Sequence, residues 1–195
     1  MATEHASEIV LSKRELRAVS AFAVACAETV LDLFEAERPD DTRPRKAIAA
    51  AREFARGGER GKALRDTASA ALKAAKAAET GAAREAAWAA MSAAGSAYLH
   101  PLAKATQVRH ILGAGAYAAR AAELHAGDAP SVAAAYIERA VRCATPEVVA
   151  VLLRYPAAPN GGGRTGELTR RLDTELRALD VRKSLDAPAS VSDDV

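Results

Sequence analysis

SKRELRAVSAFAVACAETVLDLFEAE, residues 12–37, decides the fold. Ser12 and Glu15, three apart, form a capping box in which each side chain satisfies a free backbone amide at a helix start. Behind them Leu16, Val19, Ala23, Cys26, Val30, Leu33 and Phe34 recur at spacings of three and four. A strand would alternate; this pattern places one apolar stripe along a helix. The spacing predicts a helix as far as about Glu37, stopped before Pro39. Asp41 or Thr42 can cap a second helix with Pro44 in its first turn, where proline loses no useful donor. Its buried face is Ile48, Ala51 and Phe54 or Ala55, and Gly57-Gly58 ends it.

The rest of the chain repeats the theme. Helices are expected over residues 62–80, 83–99, 102–125, 128–144 and 145–154, and Trp88 with Met91 lies on the second of these. The helix over 102–125 contains Gly113 and Gly115, at roughly 1 kcal/mol each relative to alanine. Such glycines belong where another backbone packs tightly. Residues 156–166, PAAPNGGGRTG, read as a linker. Beyond it Leu168, Leu172, Leu176 and Leu179 form a narrow stripe on a charged helix. The chain therefore reads as an all-α, alanine-rich bundle of about seven helices, followed by a Gly/Pro linker and one C-terminal amphipathic helix. Its parts are a flexible N-terminus (1–11), a helical domain (12–155), the linker (156–166), the appended helix (167–183) and a disordered tail (184–195). No repeat of 20 to 50 residues suggests a solenoid.

Composition agrees. Of 195 residues, 50% are apolar but only 4% aromatic. Alanine, the best helix former and a poor strand former, fills about a quarter of the positions. Lys or Arg punctuates every alanine run, so none offers the roughly 18 uncharged apolar residues of a membrane span. Glu4 and Glu8, with no apolar stretch between charges, argue against a secretory signal. Cys26 and Cys143 are too few for a disulfide framework or a structural zinc site. The expectation is a reduced cytoplasmic protein.

Charge is unevenly spread. Residues 1–42 carry four basic and nine acidic groups, and residues 43–76 carry ten basic and three acidic. The two segments could pair across a hairpin or face different partners, and pairing is the simpler reading. The basic stretch has only Phe54 as an interleaved aromatic and is interrupted by Glu53, Glu59 and Asp66. It matches no nucleic-acid-binding motif, so nucleic acid is not an expected partner.

No catalytic, cofactor-binding or metal-binding set emerges. The GGG at 161–163 lacks the strand before it and the Lys-Ser/Thr after it that a phosphate loop needs. Cys26 falls on a buried stripe, and Cys143 lies near Arg139 and Arg142 with no histidine at helical spacing. His100, His110 and Glu123 could in principle hold a divalent ion, but 110 and 123 stand about 20 Å apart along one helix. Glu28, Asp32 and Glu35 share one side of the first helix and face Arg43, Arg45 and Lys46 across the turn. That arrangement reads as an ion-pair network before it reads as acid–base machinery.

Two stretches carry a resemblance: CAETVLDLFEAERPDDTRPRKAIAAAREFARG (26–57) and AAGSAYLHPLAKATQVRHILGAGAYAARAAEL (93–124). In this order they resemble a family of bacterial immunity proteins, the immunity-protein-five-like group, over about residues 14–155. The matching positions include Phe34, Glu35, Pro39, Asp40, Arg43, Pro44, Arg45, Gly95, His100, His110, Gly113 and Tyr117. The resemblance implies an all-α cytoplasmic protein that binds a cognate toxin without catalysis, and it supplies no catalytic residues. The partner-binding residues to expect are Glu28, Asp32, Glu35, Asp40, Asp41, Arg43, Arg45, His100 and His110. Their acidic members would suit a basic toxin cleft. The alternatives are a small metal-dependent hydrolase using His100 and His110, or a basic nucleic-acid-associated protein.

Overall fold

The computed structural model describes residues 8–186. These form nine α-helices: α1 (Lys13–Glu28), α2 (Leu31–Glu37), α3 (Arg43–Ala55), α4 (Lys62–Ala77), α5 (Gly81–Ser96), α6 (Val108–His125), α7 (Pro130–Cys143), α8 (Pro146–Leu153) and α9 (Gly163–Asp186). A 3-10 turn at Ala105–Gln107 precedes α6, and an isolated antiparallel bridge joins Glu8 to Leu102. The all-α bundle is as the composition implied. Residues 1–7 and 187–195, and with them His5 and most of the expected tail, lie outside the described residues.

Helices α5 and α6 form the centre. Both are buried on nearly every side, as expected of helices that are apolar all round. On α5 the buried positions are almost all alanine, among them Ala83, Ala86, Ala87, Ala90, Ala93 and Ala94. Helices α1 to α4 pack around α5, while α1, α7, α8 and α9 pack around α6. Small side chains permit that crowding. A Cβ placed on Gly115 would lie 2.9 Å from Leu172 Cδ2 of α9, 3.5 Å from Cys26 Sγ of α1 and 3.6 Å from Ala140 Cβ of α7. Three helices thus converge on one missing methyl group.

The capping box at Ser12 and Glu15 is complete, with Ser12 N–H donating to Glu15 at 2.7 Å and Glu15 N–H donating to Ser12 Oγ at 3.2 Å. The first helix departs from its expected length. Thr29 bonds Cys26 O twice, through its amide at 3.2 Å and its hydroxyl at 2.8 Å, and Val30 takes φ −134°. This tightened turn at two β-branched residues divides the stripe into α1 and α2 and aims Phe34, wholly buried, into the core. The helix expected from residue 102 begins at Val108 instead. Its first residues are claimed by other partners: Ile9 N–H donates to Pro101 O at 2.7 Å, and Gln107 Oε1 accepts from His100 N–H at 3.0 Å. Residues 8–11, read as flexible, are thereby tied to the α5–α6 connection, with Ile9 buried.

Helix α9 starts at Gly163, inside the stretch read as linker, and packs on α6, α7 and α8. Its stripe is fully used, since Leu168, Leu172 and Leu176 are buried and Leu179 packs against them. Polar contacts fix its angle. Glu123 of α6, only 1% exposed, takes Arg164 at 2.6 Å and Arg120 at 2.8 Å. Buried Asp173 accepts Ala158 N–H at 2.9 Å, so the preceding loop is held as well. Gly166 admits no side chain, because Gly161 O occupies the place of its Cβ.

Gly115 and Gly113 should respond in opposite ways to added bulk. Gly115→Val forces methyl groups against Leu172 and costs about 2 kcal/mol or more in urea unfolding. Gly113→Ala meets Ser92 at 3.4 Å and the Tyr117 ring at 3.9 Å, both in ordinary contact, and the gain in helix propensity leaves stability within about 1 kcal/mol of wild type. Equal losses would contradict this packing.

Candidate functional site

The carboxylates singled out in the sequence lie mostly in ion pairs. Glu28 pairs with Arg52, and Glu35 accepts from Arg45, whose Nε lies 2.7 Å from Oε1. Asp41 takes the Arg43 amide at 3.1 Å and its guanidinium at 2.8 and 2.5 Å. Asp32 and Asp40 are exposed and form no ion pair among the described residues. Another carboxylate of this segment, Glu37, does the most structural work. It accepts the Glu79 amide at 2.8 Å, the Thr80 amide at 2.9 Å and the Thr80 hydroxyl at 2.6 Å, which ties the end of α2 to the start of α5. Arg38 reinforces the junction by donating to Ala77 O at 2.6 Å. The FEAERPDDTRPRK turn is therefore a brace between two hairpins.

A different part of the surface is open. On α5, Trp88, Met91, Ser92 and Gly95 fall at i, i+3, i+4 and i+7, so they share one face. Across from them stand Thr106, Arg109, His110 and Tyr117. Together they line a cleft of about 260 Å³. The Trp88 and Tyr117 rings stack with centroids 5.6 Å apart and planes 19° apart. His110 is half-buried, and its Nδ1 lies 3.1 Å from Gly95 O. A carbonyl only accepts, so Nδ1 carries the proton and donates, leaving Nε2 to accept from the cleft in the neutral ring. Burial pulls the His110 pKa below its ordinary value, against the Gly95 bond, with Arg109 and His100 adding to the fall. Glu85, one turn before Trp88, keeps a buried Oε2 with no hydrogen-bond partner, and burial pushes its pKa up. Its charge also raises the pKa of Tyr117, after burial.

His100, His110 and Glu123 do not come together as a metal site. His100 is exposed on the α5–α6 connection, where its carbonyl accepts from Tyr155 at 2.9 Å. Glu123 is held by two arginines. No group of three His, Cys, Asp or Glu suited to a metal ion occurs among the described residues. Cys26 is buried, and burial pushes its thiol up to about 12, far from a nucleophile's range. No helix among the described residues is long and apolar enough to cross a membrane.

Sequence reasoning placed His110 but missed the company it keeps. Trp88 and Tyr117 are 29 residues apart, and only the register of the α5–α6 hairpin brings them together. The available signal was Trp88 and Met91 at helical spacing on a helix otherwise built of alanine.

The family model described as Imm-5 like putative immunity protein matches residues 10–146. The match includes the brace, the aromatic cleft and α1 to α7, and stops short of α9. No curated protein and no solved structure matches the chain.

Acid should unfold the protein in a defined window. Glu15, hydrogen-bonded by Arg154 and the Ser12 amide, is lowered to about 2 from 4.5. Asp41, bonded to Arg43, lies below its usual range. Glu123 does too, bonded to Arg164 and Arg120. Burial raises Glu37, but Thr80 and the two amides outweigh it and it also ends low. Groups with depressed folded pKa values contribute stability above the unfolded value and lose it as pH falls. Glu85 has the opposite sign and offsets a part. The melting temperature therefore drops mainly between about pH 4.5 and pH 2, and the drop is shallower in Glu15→Gln. A flat profile across that range would contradict the assigned pairs.

Proposed function

The chain belongs to the Imm-5 like putative immunity protein family, and from that premise we propose that it binds a cognate toxin protein and neutralises it by occupancy, without catalysis, in the cytoplasm of the bacterium that makes it. The single observation carrying this reading is the family match. The geometry supports it in a particular way. Neutralisation by occupancy needs a surface formed before the toxin arrives, because loops that must order on binding lose affinity to that ordering. The aromatic cleft stands on α5 and α6, the two most enclosed helices, so its side chains start from a fixed backbone. Stacked Trp and Tyr beside Arg is also the residue mixture on which binding energy concentrates.

Of the residues the sequence offered as contacts, His110 lies in this cleft. Asp32 and Asp40 present exposed carboxylates, and Glu28, Glu35, Asp41, Arg43 and Arg45 are engaged with one another or with Arg52. Binding through that second set competes with the ion pairs those groups already form. The proposed contact is the cleft, with the acidic edge as the surface to compare against. A metal-dependent hydrolase draws no support from His100 and His110 as they are arranged.

Stoichiometry distinguishes occupancy from catalysis. The toxin encoded by the neighbouring gene is expressed with graded amounts of this protein, and growth and complex formation are measured. Occupancy predicts rescue only once the protein reaches at least the molar amount of toxin, with the two purifying as a complex. Rescue far below equimolar levels, or no complex, would contradict the proposal.

A further inference from the structure

The cleft is uneven in charge. Arg109, at its rim, is exposed and engages in no hydrogen bond or ion pair with a side chain among the described residues. This sets it apart from Arg17, Arg38, Arg43, Arg45, Arg120 and Arg164, each of which is tied to the body of the protein. Arg109 also lines a second cleft of about 290 Å³ against the loop that runs from Pro159 to Gly162. It thus stands between an aromatic floor and a groove leading away from it. The nearby carboxylate, Glu85, is drawn under the surface, with one oxygen wholly buried. What reaches solvent here is two ring faces, the Met91 thioether, the His110 ring and one unpaired guanidinium.

We propose that this cleft seats an acidic-aromatic segment of the toxin, with an aromatic side chain against Trp88 and Tyr117 and a neighbouring carboxylate on Arg109. The inference rests on the neutralisation reading and deepens it by specifying the partner's chemistry. It also reverses the charge sense that the acidic N-terminal segment suggested, because those carboxylates are largely paired and the open cleft is cationic. A nucleotide could stack a base on the same rings, but the site offers a single cation, and the glycine loop beside Arg109 lacks the strand and the Lys-Ser/Thr of a phosphate loop. One carboxylate matches one guanidinium, and the planar fork of Arg109 can take it with two parallel bonds.

Trp88 is the chain's one tryptophan, so its fluorescence reads this cleft alone. The full chain is titrated with end-blocked Asp-Phe-Asp, Lys-Phe-Lys and adenosine monophosphate. The expected result is a saturable change with the acidic peptide, at least tenfold tighter than with the basic one, and weakened at least fivefold by Arg109→Gln. Equal responses to the two peptides, no saturable response, or tighter binding of the nucleotide would overturn the proposal. A second arm measures the toxin complex with Arg109→Glu and Trp88→Ala, each checked for an unchanged melting temperature. Loss of at least tenfold in affinity supports the assignment. Wild-type affinity in both variants overturns it while neutralisation stands, whereas failure of the wild-type chain to bind toxin at all overturns the parent reading, whatever the peptides do.

Discussion

The close contact between α5 and α6 is the constraint on which the rest of the structure depends. Two helices can approach closely only where the side chains between them are small: the buried positions of α5 are all alanine or serine, and a Cβ on Gly113 of α6 would lie 3.4 Å from Ser92 Oγ. Closeness brings a second requirement. Each alanine buries little area, so stability must come from many such contacts and from surrounding α5 and α6 on all sides. Helices α1 to α4 and α7 to α9 supply that surround with the larger side chains, including Phe34, Ile48, Ile137 and Leu172. Gly115 marks the limit of the scheme, where Cys26, Ala140 and Leu172 reach one point of α6 and leave no room for a methyl group.

The candidate site follows from the same constraint. Since half of α5 is alanine, its few large apolar residues are conspicuous. Trp88 and Met91 are half-buried, packed against the edge of the core, and with Tyr117 and His110 they line the cleft where α6 comes alongside. The backbone beneath them is fixed by packing on every other side. A patch of aromatic surface on a rigid frame gains affinity without an ordering cost. The ionic groups of the α2–α3 turn serve the frame differently. Glu37, Arg38 and their partners at Ala77, Glu79 and Thr80 lock the α1–α3 layer to the first turn of α5. The most distinctive segment of the sequence thus holds the position of the helix that carries the cleft.

What could be read from sequence was whatever is encoded within a turn or two of helix. The Ser12 cap, the Thr145 start and the stop at Gly57 depend on neighbours three or four residues away, and they stand where local rules put them, whereas Thr80, read as the end of one helix, caps the start of the next. The break at Thr29 was hidden because the apolar spacing continues through it. The late start of α6 was hidden because its cause, Ile9, is about ninety residues away in sequence. Docking of α9 depends on Glu123 reaching Arg164, a pair 41 residues apart. The cleft was hidden for the same reason, since Trp88 meets Tyr117 only after the hairpin has closed. The alanine-rich background that made the helices legible gave no information on which alanine faces which.

Met91 offers the most direct measurement. The chain has two methionines, Met1 and Met91, so a protein labelled at the methionine methyl gives two resonances, one from the floor of the cleft and one from the N-terminus as an internal reference. On titration with the toxin, binding through the cleft predicts that the Met91 methyl signal shifts or broadens and saturates at one equivalent. A complex that forms at the same stoichiometry while the Met91 signal stays in place would contradict the account.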